Sequence, residues 1–311
     1  MTADTGSTHP HVTGLVPAPH TPMHPDGSVN LDTIDKQAEL LVANGVAGVF
    51  VCGTTGEGMS LTVQERLDIA ARWQAVAGKQ LRVIVHVGHL CLPDSQTLAA
   101  HAQKIGAFGI GSIAPCFFRP ETVEELVEYC AEVAAAAPDL PAYYYHIPSL
   151  SGANFSMVDF LEIAAERIPS LGGIKYTWED LMDFGRCVRF DGGRFNILFG
   201  RDEILLSALS LGARGAVGST YNYAAPLYHG IIEAFEAGDI ERAQAGQARA
   251  MEMVDVLHRF RGLVCGKAVM SMIGVDCGGV RSPLRNLSSE EYDAIRSELE
   301  GIGFFEYCSK L

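Results

Sequence analysis

LDTIDKQAELLVANGVAGVFVCGTTGEG, residues 31–58, carries the pattern that decides the fold. Leu31–Asn44 repeats apolar residues at helical spacing. Asn44-Gly45 supplies the left-handed stop that ends such a helix. Val46–Val51 then runs as a short β-branched strand, and Gly53-Thr54-Thr55-Gly56-Glu57-Gly58 turns out of it. A helix feeding directly into an apolar strand, with a glycine-rich loop after it, is the repeating step of a parallel sheet.

The same step recurs on both sides. Strand-like runs stand at Val12–Pro17, Val46–Val51, Leu81–Val87, Gly109–Ala114, Pro141–Ile147, Leu171–Tyr176, Phe195–Phe199 and Arg214–Gly218. Helical stretches lie at Leu31–Asn44, Thr62–Ala77, Pro93–Ile105, Glu121–Ala136, Ser156–Arg167, Glu179–Arg189, Asp202–Leu211 and Ala224–Glu236. Eight β/α units in about 225 residues match an α/β fold of the (β/α)8 TIM-barrel type. A doubly wound open sheet is the other fold that alternation allows. It usually places a glycine-rich dinucleotide loop after its first strand, and here that position reads Pro17-Ala18-Pro19-His20-Thr21-Pro22. No GxGxxG follows any strand. The expected layout is a flexible leader at 1–11, the barrel at 12–237 and a helical C-terminal extension at 238–311.

Composition narrows the function. Of 311 residues, 48% are apolar and 19% charged, an ordinary globular balance. The net charge of −14 argues against nucleic acid and against anionic membrane surfaces. Eight cysteines with no CxxC pair read as buried thiols in a reducing compartment. The first ten residues lack a basic segment followed by an apolar one, and no run of about 18 apolar residues exists. A cytoplasmic protein acting on a small molecule is therefore expected.

In a (β/α)8 barrel, chemistry collects where strands end. The Thr54-Thr55 loop suits a small carboxylate or phosphate, or is a plain capped turn. Strand five ends in Tyr143-Tyr144-Tyr145-His146-Ile147-Pro148, with Tyr143 and Tyr145 on one face. A tyrosine at the mouth can exchange a proton, or simply fill a barrel layer. Of six lysines, Lys175 lies inside an apolar strand. Burial lowers the pKa of such an amine and makes it a nucleophile toward ketones. Lys267 is its rival, read as a structural lysine snorkelling from the extension. Asp202-Glu203 after strand seven can bind polyol hydroxyls or cap a helix. Ser219 offers a hydroxyl after strand eight. A metal-dependent lyase or hydrolase would use His86, His89 and Cys91, with His101 and His146 elsewhere, but the spacing fits no standard zinc motif and a strand puts His86 and His89 on opposite faces. A serine hydrolase is set aside because no G-x-S-x-G elbow is present.

Taken together, Gly53-Thr54-Thr55-Gly56-Glu57, Tyr145-His146-Ile147-Pro148 and Gly173-Ile174-Lys175 resemble the dihydrodipicolinate synthase/N-acetylneuraminate lyase family, over nearly the whole chain from Gly14. The resemblance implies a (β/α)8 barrel, usually homotetrameric, that makes or breaks a bond to pyruvate without metal or organic cofactor. It implies Lys175 as the Schiff-base lysine, Tyr145 as the proton shuttle, and Thr54 and Thr55 as holders of the pyruvate carboxylate. The segment Tyr143–Gly152 is similar to the lyase branch, because the synthases carry an arginine where Leu150 stands. Thr177, Gly200, Asp202, Glu203 and Ser219 match that branch's sugar-contacting positions. Cleavage of N-acetylneuraminate to N-acetylmannosamine and pyruvate is thus expected, with a sister aldolase on another 2-keto-3-deoxy sugar acid as the alternative. One departure stands at Ala114-Pro115-Cys116-Phe117-Phe118, where many members carry a tyrosine pair.

Overall fold

Each strand of the computed structural model, which describes residues 9–311, lies inside one of the runs named above. They are β1 Gly14–Pro17, β2 Gly48–Val51, β3 Arg82–His86, β4 Gly109–Ile113, β5 Ala142–His146, β6 Leu171–Tyr176, β7 Asn196–Phe199 and β8 Gly215–Gly218. Seven parallel pairings join them in the order β1-β8-β7-β6-β5-β4-β3-β2. The remaining seam between β1 and β2 is bridged by Ala47 N–H donating to the Leu15 carbonyl at 2.8 Å. The sheet is thereby a nearly closed (β/α)8 barrel.

The connecting helices are α1 Thr33–Ala43, α2 Val63–Ala77, α3 Leu92–Lys104, α4 Val123–Ala134, a single turn α5 Pro148–Ser151, α6 Met157–Arg167, α7 Leu181–Arg189, α8 Leu205–Ser210 and α9 Tyr221–Glu236. Their starts follow local chemistry. Thr62 and Glu65 form a reciprocal capping box on α2, and Thr122 and Ser156 accept the N3 amides of α4 and α6. Such caps are each worth ~1 kcal/mol. The chain continues through α10 Ile240–Arg259, α11 Leu263–Met272, α12 Ser289–Gly301 and α13 Phe304–Tyr307, with no further strand.

Alternation along the strands builds two apolar layers. Val16, Phe50, Ile84, Tyr143, Tyr145, Leu198 and Val217 fill the barrel interior. Tyr144 points the other way, into the layer between sheet and helices, where its ring meets Phe160 at 4.8 Å. The outer layer also takes in Met253, Leu257, Ile295 and Phe304, so the C-terminal helices share one continuous core with the barrel. The floor of the barrel is plugged by Asn196, whose amide pairs with the Val12 backbone and accepts from the Tyr143 hydroxyl. Of the predicted leader, residues 1–8 lie outside the described residues. His11 is tied down, its Nε2 at 2.9 Å from the Arg194 carbonyl.

Candidate active site at the carboxyl ends of the strands

Parallel pairing in register puts Tyr145 of β5 directly beside Lys175 of β6. Both therefore face the interior, near its open end. The Lys175 Nζ stands 3.8 Å from the centre of the Tyr145 ring and 4.1 Å from that of Phe50. These ring faces solvate an ammonium only weakly, and the lysine is buried. Burial lowers the Lys175 pKa to about 7, with Asp202 opposing the shift. A substantial fraction of the amine is neutral at physiological pH, which a nucleophile toward carbonyl carbon requires.

Burial likewise pushes the Tyr145 phenol up to about 12, partly offset by the Thr54 hydroxyl. Thr54 Oγ1 lies 3.2 Å from the phenol oxygen. The loop after β2 thus reaches across the mouth of the barrel to the end of β5. Thr55 lines the same cavity, a space of about 250 Å3 whose walls also include Thr177, Gly200, Asp202, Glu203 and Ser219. Every site residue expected from the sequence borders this one cavity.

Two glycines shape the part of the cavity wall formed at the ends of β7 and β8. A Cβ on Gly200 would sit 1.9 Å from Thr177 Oγ1, and a Cβ on Gly218 would sit 1.9 Å from an Asp202 carboxylate oxygen. Their absent side chains let β7 and β8 approach these polar groups. Among the described residues, Thr177 Oγ1 is buried without a well-formed hydrogen bond, its hydroxyl acting with that of Thr54 to hold down the pKa of the Tyr145 phenol.

Asp202 and Glu203 have protein partners of their own. One Asp202 oxygen accepts from the Thr220 amide at 2.9 Å and the Thr220 hydroxyl at 2.6 Å. Asp202 therefore braces the start of α9 rather than capping the short turn it begins. Burial raises its pKa to about 6 despite those donors. Glu203 pairs with Arg201 at 2.8 Å, and Arg201 also holds Glu179. The two carboxylates thus present one buried, braced face and one half-buried, ion-paired face.

Several lining residues carry no sequence signal. His20 follows β1, while Tyr223, Val254, Leu257 and His258 come from α9 and α10. Val254, Leu257 and His258 reach the cavity because the extension folds back over the strand ends, a tertiary fact that no local motif announces. The Lys267 reading needs correction. This lysine does not snorkel to solvent: its Nζ lies 2.8 Å from a carboxylate oxygen of Glu57, and both side chains are almost fully buried. Helix α11 packs its charged residue inward, against the loop after β2, where a carboxylate is waiting.

The histidines do not converge. His86 packs on Phe50 and Tyr145 inside the barrel, whereas His89 lies outside it, 3.5 Å from Asp94. Among the described residues, no group of three or more histidines, cysteines or carboxylates is placed to hold a metal ion. Phe117 and Phe118 stand at the rim, 75% and 86% exposed, and stack edge to face outside the cavity.

Comparisons with known proteins show the family of the chain and agree with its fold. A model of the dihydrodipicolinate synthetase family matches residues 11–302. The N-acetylneuraminate lyase of Homo sapiens is 43% identical over 301 residues, covering 94% of this chain and 93% of that protein. That of Xenopus tropicalis is 45% identical over 291 residues, covering 92% and 95%. Among solved structures, the N-acetylneuraminate lyase of Proteus mirabilis superposes with a TM-score of 0.93 at 42% identity, over 95% of this chain and all of that one. The sialic acid aldolase of Aliivibrio salmonicida does so with 0.93 at 43%, over 95% and 98%.

Proposed function

Because this chain belongs to the dihydrodipicolinate synthetase family, we propose that it is a Schiff-base aldolase that reversibly cleaves N-acetylneuraminate to N-acetylmannosamine and pyruvate. One observation carries the mechanism: a buried lysine whose pKa lies at about 7 opens into a cavity beside a phenol held by a threonine hydroxyl.

The neutral Lys175 amine attacks the ketone carbon of the open-chain sugar acid, and loss of water leaves an imine. Protonated, that imine draws electrons from the carbon–carbon bond one atom further out, between the carbon next to the imine and the carbon bearing the hydroxyl. Thr54 and Thr55 hold the substrate carboxylate beside Tyr145. The phenol is protonated at neutral pH, so it relays rather than stores charge. It passes its proton to the substrate carboxylate as it takes one from the hydroxyl beyond the scissile bond. The bond breaks, the hydroxyl carbon becomes the aldehyde of N-acetylmannosamine, and an enamine of pyruvate remains on Lys175. Reprotonation at carbon and hydrolysis release pyruvate and restore the amine. With phenylalanines at 117 and 118, no phenol from that segment enters the relay, which is why the substrate's own carboxylate is given the task. Thr177, Gly200, Asp202, Glu203 and Ser219 form the sugar-facing wall. The scheme uses no metal or organic cofactor.

Residues 12–237 serve as the catalytic barrel and 238–311 as the helical extension that walls the site. The protein works in the cytoplasm as a homotetramer, with no nucleic-acid or membrane partner. No described helix is long and apolar enough to cross a membrane.

A panel assay of pyruvate release tests the reading. N-acetylneuraminate is expected to be cleaved with higher catalytic efficiency than six-carbon 2-keto-3-deoxy acids, which leave polar groups of the wall unpaired at ~1–3 kcal/mol each. Equal or better efficiency on the shorter acids assigns the chain to a sister aldolase instead. Activity abolished by a chelator would favour a metal-dependent enzyme.

A further inference from the structure

We propose that Glu57 and Lys267 act as a positioning pair, through which the C-terminal extension sets the grip of the Thr54-Thr55 loop on the pyruvate carboxylate; this rests on the Schiff-base reading of the site. The loop is a tight turn under strain. Cys52 and Glu57, neither of them glycine, both adopt left-handed backbone, at φ 58° and 54°. Such conformations persist only where surrounding structure imposes them, and they cluster at ligand clamps. Inside the turn, Glu57 N–H donates to the Thr54 carbonyl at 3.0 Å and Gly58 N–H to the Gly53 carbonyl at 3.0 Å. Any shift of Glu57 is therefore passed straight to Thr54.

What imposes the conformation at Glu57 comes from a distant part of the chain. One carboxylate oxygen lies 2.8 Å from Lys267 Nζ in α11, and the other accepts from Arg281 N–H at 3.0 Å. Lys267 also donates to the Gly279 carbonyl. A second tether lies at the glycine before it, where Thr21 Oγ1 donates to the Gly56 carbonyl at 2.6 Å. Gly266 lets α11 lie against the ring of His20, so the helix sits close enough to deliver its lysine. A buried ion pair is weak evidence for a stabilising role, because desolvation offsets most of its attraction. Its use here is directional: it fixes one residue of the turn whose two hydroxyls meet the substrate.

The test is borohydride trapping of pyruvate on the full-length protein, read as the pyruvate concentration giving half-maximal adduct. Glu57→Asp keeps the charge but shortens the reach, and Lys267→Met removes the cation. Each is expected to raise the half-saturating concentration at least tenfold. The fraction of folded protein trapped at saturating pyruvate should stay that of the parent. A merely structural role has the opposite signature: fewer competent molecules at an unchanged half-saturation. Unchanged half-saturation in Glu57→Asp overturns the proposal even if Lys267→Met fails to fold. Absence of any adduct in the parent protein overturns the Schiff-base reading itself, and this proposal with it.

Discussion

A lysine inside a strand is legible because so little else explains it. Five other lysines lie elsewhere, and Lys175 alone sits in an apolar strand facing the barrel mouth. Its lowered pKa also has a thermodynamic sign. The folded state holds the lysine at about 7, against 10.5 in an unfolded chain. Between those values the unfolded state binds more protons, so the destabilisation this residue causes is full below about pH 7 and shrinks as pH rises toward 10.5. Lys175→Met should therefore be inactive yet more stable at pH 7, by up to about 4 kcal/mol at about 1.4 kcal/mol per pH unit between the two values. Urea titrations should show that gain shrinking steadily as pH is raised to 10. A variant less stable than the parent at pH 7 would contradict the burial argument. Tyr145→Phe removes one hydroxyl from the interior and should leave the melting temperature nearly unchanged. Its turnover number should fall ~10²–10⁴-fold, the usual worth of a general acid–base group. Near-normal turnover would remove Tyr145 from the proton relay. Lys267 was misread for the converse reason: a lysine on a helix looks solvated until the partner carboxylate, 210 positions earlier in the chain, is brought to it.

At the level of elements, the alternation of short apolar or aromatic runs with period-3.6 segments marked all eight strands, because each run is brief and lies between helical stretches. What escaped was anything shorter than a period. The turn Pro148–Ser151 is too brief to show helical spacing, and Asp202–Leu211 divides into a tight turn and α8 once Asp202 turns toward Thr220. Helix α9 begins at Tyr221, not Ala224, because the chain stays coiled through a kink at Ala224 ahead of Pro226. The end of β8 and the turn after β7 depend on each other through a missing side chain. In Gly218→Ala, the new Cβ collides with the Asp202 carboxylate, a buried and doubly bonded group that cannot swing away freely. Asp202 would be driven off Thr220, and the cavity wall it belongs to displaced by a fraction of an ångström to an ångström. Misplacement on that scale costs ~10²-fold in rate. Steady-state kinetics on N-acetylneuraminate should show that loss. Activity within threefold of the parent would mean the Asp202 brace does not govern the site.

The whole molecule joins a barrel, readable from the periodicity of its strands and helices, to an extension whose contribution to the site was not. Helices α9 and α10 lie along each other, and α11 plants Lys267 under the loop after β2. Long-range packing of this kind leaves no local pattern, so the cavity wall built by Val254, Leu257 and His258 became visible only in three dimensions. The same limit applies to the outer surface, where the sequence shows apolar residues but not whether solvent meets them. Phe117, Phe118, Leu90 and Leu150 are all more than half exposed, and they fall in the successive segments that follow β4, β3 and β5. Arg119 lies against Gly152, so the segments after β4 and β5 touch, and the two phenylalanines pack edge to face on each other. Large aromatic groups left in water on a chain with net charge −14 are costly unless a second surface covers them. Under the homotetramer proposal, that surface is another copy of the same chain. Sedimentation velocity should then give a particle several times the 33.4 kDa chain mass. Phe118→Asp places a desolvated charge in the contact and should shift the distribution to smaller species without altering the far-ultraviolet circular dichroism. A parent protein sedimenting as a single chain would refute the tetramer. A Phe118→Asp variant that stays fully assembled would locate the contact elsewhere on the barrel.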